Sequence, residues 1–527
     1  MAMNYGLMTG VSEDDISDAS RKIAGSTETV LYERVRQREP APNQRQTPIA
    51  ESESYEGASL LGSALNQWQR PITDYGCDPQ WVVKLKASPY IGDIDFGRKE
   101  WARSRDAVDA VMELLLDDLR VKASTDYEHL RIDSYIRQGS SRDGLKVIKP
   151  DEYDTVLEFH IEGLHLSEQH IYKNKKYVPG FCYLKVDASC QDLQHRFPKL
   201  WREKVFEERD GTFYLSSRML HQGVFESLID KSCRAIEEKI EAMQRSRKVN
   251  FHITRKMNPP AVNITIHLDD DANDLFMNQG QIRNRSDIVR EIDLDIVPAI
   301  RLRVDSHTTY NGRPVNAVIH AVCKWKEEDA TRSLEIADQV LVWHINSAGY
   351  ERYTLDVART DHKQIFILTA LRILKTYFTK TKSIAKSENR PPPPIVTVLK
   401  SYHLKQIALY MIMYTCHLYP SIRIDGVKRA LVLFVNLLHT SLEKRHLPHF
   451  FYSNSQIGRM FHNYPSNRDA LRFDLYRKIP NESLRQAELS YENHLLKDIG
   501  FGTGGEDHEA GTIRSEFSNE IGKGIYF

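Results

Sequence analysis

The sequence predicts an α+β protein in which a mixed-sheet lobe is followed by a helical lobe. Strand-like apolar runs cluster between residues 139 and about 345. From about Val357 the apolar residues recur instead at helical spacing. An amphipathic stretch ahead of the strands adds one long helix. Strands and helices that come in separate runs point to α+β rather than to alternating α/β.

Residues 1–85 read as a mostly disordered extension. The stretch REPAPNQRQTPIAESESYEGAS is rich in Pro, Gln, Ser and Glu, and such a segment buries too little apolar surface to offset its ordering entropy. A short helix around 12–38 is compatible with the pattern. Order is expected to begin near Trp81. From Lys99 to Val121, the residues Val108, Val111, Met112, Leu115 and Leu119 recur at three and four, which makes one buried face of a long helix. The runs TVLEFHI, FCYLKV, AVNITIHL, DLDIVPAIRLRV and NAVIHAVCKW read as strands and complete a core over 86–350. QIFILTALRILKTYF, HLKQIALYMIMYTCHLY and VKRALVLFVNLLHTSLEK read as helices of a second lobe over 351–498. The RPPPP run at 390–394 breaks any helix and is assigned to a loop. The Gly-rich, charged tail, 499–527, is expected to be mobile. No internal repeat is detected.

The chain has 527 residues, 41% hydrophobic and 27% charged, and 72 basic residues balance 72 acidic ones. The length suits two or three domains, and the charge balance excludes a global basic field. The six cysteines, Cys77, Cys182, Cys190, Cys233, Cys323 and Cys416, form no C-x-x-C pair or short His/Cys cluster, so neither a zinc ribbon nor a disulfide framework is expected. Scattered cysteines suit a reducing compartment. No basic segment followed by an apolar run opens the chain, and no apolar stretch is long enough to span a bilayer. A cytoplasmic protein without a membrane partner is expected.

The segment QGSSRDGLKVIKPDEYDTVLEFHI, residues 138–161, carries the chemistry. Gly139, Ser140 and Ser141 form a small-residue turn that can bring backbone N–H groups close to an anion. Glu152 and Asp154 open a strand, so they share one face while Tyr153, Thr155, Leu157 and Phe159 point into a core. Paired carboxylates repel, and a divalent cation is their natural compensation. Magnesium prefers a few carboxylates plus substrate phosphates. A phosphate turn beside such a pair is what nucleotidyl transfer needs. The third carboxylate comes from EIDLDIVPAIRL, with Asp295 the better candidate and Asp293 the alternative.

On these residues the chain resembles cyclic GMP-AMP synthase-like receptors and the male-abnormal (Mab) nucleotidyltransferase-fold family. GSSRDGLKVIKPDEYD is similar to the family's Gly-Ser, Pro-x-Glu-Phe-Asp signature. LRILK at 371–375 resembles its phosphate-contacting helix, and KSYHLK at 400–405 its Ser-Tyr-His-x-Lys segment. The resemblance spans about residues 97–495. It implies a bilobed nucleotidyltransferase fold with Glu152, Asp154 and Asp295 holding Mg2+ or Mn2+. Gln138, Gly139 and Ser140 would lie at the ATP phosphates. Lys375, Ser401 and Lys405 would lie along the nucleotide phosphates, Tyr402 would stack on a base, and the segment from His344 to Glu351 would meet the acceptor nucleotide. The implied reaction joins ATP and GTP, or another triphosphate, into a cyclic dinucleotide.

The segment WHINSAGYE has His344 where the family has arginine and Ala348 where it has serine. Histidine cannot reproduce an arginine's fork of donors, which leaves the bases of the product open. No cysteine lies between Glu351 and Lys375, so the zinc-dependent DNA clamp of the vertebrate sensor is not expected, and double-stranded RNA is favoured over DNA as an activator in innate immune signalling. Lys173, Lys175 and Lys176, and Arg245, Arg247 and Lys248, are candidate phosphate-contacting clusters. A catalytically inactive binding or developmental protein on the same fold is the alternative, and a template-free RNA-tailing polymerase is a third reading.

Overall fold

The structure, a computed structural model, describes residues 79–92, 98–246, 249–258, 261–269, 289–308, 314–323, 339–360, 365–415, 424–461, 464 and 472–501. The expected disorder before residue 79 and mobility after 501 lie outside the described residues.

Helix α1, Pro79–Ala87, starts six residues before the boundary expected at 85. It buries Trp81, Val82 and Leu85, and Trp81 stacks on Phe501 at 6.2 Å between ring centroids. Two residues more than 400 positions apart make this contact, so local composition gives no hint of it. Helix α2, Arg98–Asp126, is the predicted long helix. Its five stripe residues, Val108, Val111, Met112, Leu115 and Leu119, are all fully buried.

Eleven described strands form one mixed, curled sheet. β1 (Leu130–Gln138) pairs antiparallel with β2 (Glu152–Ile161), and β2 runs parallel to β9 (Glu291–Thr308). β10 (Pro314–Cys323), β11 (Val342–Asn346), β4 (Lys176–Val186), β6 (Thr212–Leu215) and β5 (Phe206–Arg209) continue the order. β3 (Leu166–Lys173) adds to β4. A hairpin of β7 (Phe251–Asn258) and β8 (Ala261–Leu268) adds to the first half of β9. Pro298 falls where the outer partner of β9 changes from β8, ending at Ile296, to β10, starting at Ala299. There the missing N–H breaks no bond to either strand.

Curling brings distant strands together. Asn346 on β11 donates to Gln138 on β1 at 2.8 Å, although β2, β9 and β10 lie between them. Helix α2 covers the back of the sheet, where Trp101 stacks on Tyr153 at 5.9 Å. Helix α3 is a single turn, Gly139–Arg142, and α4, Glu226–Arg245, packs beside α2.

The second lobe contains α5 (Ala348–Thr360), α6 (Ile365–Ser387), α7 (Ser401–Met413), α8 (Val427–Glu443) and α9 (Asn481–Ser490). Helix α5 crosses the boundary expected at 350/351, because the Asn346 side chain caps it by accepting from the Ala348 N–H at 2.8 Å. The proline run is a loop through Pro393. Pro394 then begins the short helix Pro394–Val398, occupying the first helical position, where a missing N–H costs nothing. Tyr452 donates to the Ile345 carbonyl and packs against Gly180, which fastens this lobe to the sheet. No helix among the described residues is long and apolar enough to cross a membrane. The described cysteines, Cys182, Cys190, Cys233 and Cys323, are free thiols.

Candidate nucleotidyl-transfer site

Alternation along β2 and β9 builds the acidic face. Tyr153, Thr155, Leu157 and Phe159 are buried, as are Ile292, Leu294 and Ile296. Glu152 and Asp154 therefore share the opposite face with Asp293 and Asp295. The parallel register sets Glu152 beside Asp293 and Asp154 beside Asp295. Neighbouring strands are about 4.8 Å apart, so the four carboxylates form a two-by-two patch. Val156, Val297, Ala299 and Val322 line the same face further along the sheet.

The turn between β1 and β2 closes over this patch. Gly139 has φ +69°, and a Cβ there would overlap the Asp154 carboxylate and stand 2.7 Å from its Cγ. Only glycine permits both the backbone angle and the close approach. The Ser140 carbonyl accepts from the Leu145 N–H at 2.8 Å, and the Ser141 hydroxyl donates to the Glu152 carbonyl. The loop is thereby tied to the start of β2.

Charge is unevenly compensated. Burial first, then the Glu152 and Asp295 charges, pushes the Asp154 carboxyl up to about 6, with Lys146 and Lys405 opposing. Burial also raises the Asp295 carboxyl, opposed by a hydrogen bond from Asn263 and reinforced by Glu152 and Asp293. Asn263 Nδ2 lies 2.9 Å from Asp295 Oδ1, and the Thr265 hydroxyl donates to Asp293 Oδ1 at 2.9 Å. Lys146 bridges Asp151 at 3.1 Å and Glu152 at 2.8 Å.

The donor set is hard oxygen, with Asp154 and Asp295 raised in proton affinity by burial and then by neighbouring carboxylates, and it abuts a backbone cradle that a Cβ would fill. Those properties fit Mg2+ or Mn2+. Among the described residues no three His, Cys, Asp or Glu side chains converge tightly enough to form a ready-made metal cage.

The helical lobe supplies cations from the other side of the turn. Lys375 Nζ donates to the Leu145 carbonyl at 2.7 Å. Burial, with Lys146 and Lys405 nearby, lowers its ammonium to about 8. Lys405 Nζ lies 2.6 Å from both Asp143 and Glu351. Despite burial, these two carboxylates hold the Lys405 ammonium above its ordinary range. Glu351 is buried, so in this arrangement it serves Lys405 rather than an open pocket. Ser401 and Tyr402 are exposed at the start of α7, and His344 packs edge-on against Phe181 at 5.4 Å.

Lys146, Asp143, Asn263 and Thr265 escape the sequence reading, and Asn346 enters it only as part of the segment from His344 to Glu351. Asn263 and Thr265 do leave one signal, as polar residues alternating with apolar ones in AVNITIHL. Of the basic clusters, Lys173, Lys175 and Lys176 form the β3–β4 turn, where Asn174 and Lys175 take positive φ. Arg245 ends α4, whereas Arg247 and Lys248 lie outside the described residues.

Residues 141–333 match the family described as Mab-21 protein nucleotidyltransferase domain. The match covers less than half of the chain and supports a nucleotidyltransferase-fold protein. The match contains Glu152, Asp154, Asp293 and Asp295 and supports the Mab-21 and cyclic GMP-AMP synthase-like family. It ends before β11 and the helical lobe, so His344, Lys375, Ser401, Tyr402 and Lys405 lie beyond it. A Mab-21 nucleotidyltransferase domain implies nucleoside triphosphate substrates, and its α+β composition agrees with the observed sheet and helices. No curated protein matches the chain significantly.

Proposed function

We propose that the protein is a metal-dependent nucleotidyltransferase that builds a cyclic dinucleotide from ATP and GTP or another triphosphate. The observation that carries this reading is the β2–β9 register, which sets Asp154 beside Asp295, with Gly139 closed against Asp154. Glu152, Asp154 and Asp295 would hold Mg2+ or Mn2+. When bound, the cation supplies charge neutralisation for an attacking ribose hydroxyl and a departing pyrophosphate.

The protein's own groups do the positioning. Backbone N–H groups at Gly139–Ser141 cradle phosphate, while Lys375 and Lys146 supply positive charge beside the turn. The ring of Tyr402 offers a stacking face. Holding two nucleotides in one orientation converts a bimolecular reaction into an effectively unimolecular one. A second attack in the same pocket closes the ring.

Activation by double-stranded nucleic acid, RNA favoured, belongs to the same proposal. Arg142 follows the Gly139 turn with Arg137 and Arg352 within electrostatic reach, and Lys173, Lys175 and Lys176 project from the β3–β4 hairpin. Such cations suit phosphate contacts of the salt-dependent kind. Innate immune signalling in the cytoplasm is the setting that this activity suits.

A test incubates the protein with ATP, GTP and Mg2+ or Mn2+, with duplex RNA, with duplex DNA or with neither, and separates the products chromatographically. A nuclease-resistant dinucleotide is expected, abolished by E152A/D154A without loss of fold. Turnover surviving that double change refutes the metal assignment. One observation favours a second reading, a binding or developmental protein that does not turn over: Glu152 and Lys405 are both engaged in ion pairs. Absence of product across metals, triphosphates and nucleic acids would decide for it.

A further inference from the structure

Tyr402 as a residue is 39% accessible, while its hydroxyl is held from two sides. His449 Nε2 lies 2.8 Å from that hydroxyl and Glu351 Oε1 lies 3.4 Å from it. His449 is buried, and ring packing together with hydrogen bonds fixes its orientation. It stacks on Tyr452 at 4.1 Å with a 17° interplanar angle, meets Phe473 edge-on, and accepts backbone hydrogen bonds at Nδ1.

Those backbone bonds set its tautomer. The N–H groups of Phe451 and Tyr452 both point at Nδ1, at 3.2 and 3.3 Å. Nδ1 must therefore be an acceptor, and the ring proton resides on Nε2. Nε2–H then donates to the Tyr402 oxygen. The Tyr402 proton is left to donate to Glu351, which also receives Lys405, and Lys405 reaches Asp143 at the phosphate turn. The chain runs in one direction from a loop of the helical lobe to the turn that follows Gly139.

We propose that His449 is a positioning residue. By fixing the Tyr402 hydroxyl, it holds that ring as a rigid stacking platform for a nucleobase, in register with the phosphate turn. The nucleobase as occupant rests on the function proposed above, while the pinning of the ring does not. A phenol anchored at one end keeps its face in place at low entropic cost, which is what stacking recognition requires.

The test incorporates 3-fluorotyrosine at position 402 of the full chain and follows its 19F line in the wild-type, H449Q and H449F backgrounds. Gln retains a donor and an acceptor, so H449Q should leave one line near the wild-type position, whereas H449F should shift and broaden it. In parallel, Kd for ATP and for GTP with Mg2+ is measured for unlabelled wild type, H449F, Y402F and the double variant. H449F and Y402F should each weaken one nucleotide roughly fivefold to tenfold, about the worth of one hydrogen bond. The double variant should be no weaker than the weaker single variant. Should H449F fail to fold, H449N replaces it, being too short to reach both partners. An unchanged 19F line, or two single effects that multiply in the double variant, overturns the proposal. A 19F response in a wild-type protein that binds neither triphosphate overturns the nucleotide reading and leaves the pinning intact.

Discussion

Gly139 lies directly against the carboxylate of Asp154: the space where its Cβ would stand is already filled by Asp154. The Gly139 turn and the acidic patch are therefore packed directly against each other. G139A must adopt φ +69° with a side chain and also displace Asp154. It should lower turnover about 100-fold, the scale of a 1 Å misplacement. Its folding cost should be only about 1–2 kcal/mol. Pyrophosphate release and a thermal melt on the same preparation check the two halves separately.

Asn263 tests support of the patch from behind. Its amide donates to Asp295 and so favours the ionised carboxylate. N263A should weaken Mn2+ affinity roughly 10- to 100-fold, as for other partners of metal ligands, with little change in melting temperature. Titration of Mn2+ into both proteins decides it, and equal affinities would discard the supporting role.

Lys405 is the cross-link between the lobes. Asp143, Glu351 and the Lys405 side chain are all nearly inaccessible to water. K405M removes the ammonium that both buried carboxylates contact and should cost about 3–5 kcal/mol. Replacing all three by apolar residues, as K405M/D143L/E351L, should recover most of that loss. Chemical denaturation of the single and triple variants measures both.

His403 gives a pH dependence outside the proposed site. It is buried, accepts from the Lys400 N–H at 3.1 Å, and its imidazole is lowered to about 4 by burial and then by the Lys400 charge. The unfolded chain, near 6.5, binds the proton more readily than the fold does. The contribution is thus complete above pH 6.5 and lost as pH falls towards 4, by up to about 3 kcal/mol. H403Q should flatten the fall in stability across that window by about one proton. Identical slopes for the two proteins would exclude His403 as a contributor.

Periodicity made the backbone of this account legible. The stripe on α2 and the alternation in EYDTVLEF and EIDLDI are local patterns, and each folds with the predicted residues buried. That alternation was enough to put Glu152, Asp154, Asp293 and Asp295 on one face, opposite the buried side chains of their strands. Relations across the curl were not legible. Gln138 meets Asn346 because intervening strands twist, Trp81 meets Phe501 across nearly the whole chain, and no local spacing encodes either. Lys405 and Glu351 were read by resemblance as nucleotide contacts. Their mutual ion pair depends on how the two lobes dock, which is a tertiary fact.

The central claim is that Glu152, Asp154 and Asp295 make one cation site beside the phosphate turn. Calorimetric titration of Mn2+ into wild type, D154A and D295A, each with a non-hydrolysable triphosphate present, tests it most directly. Saturable binding in the wild type that is lost in both variants is the predicted result. Equal binding in all three proteins would contradict it.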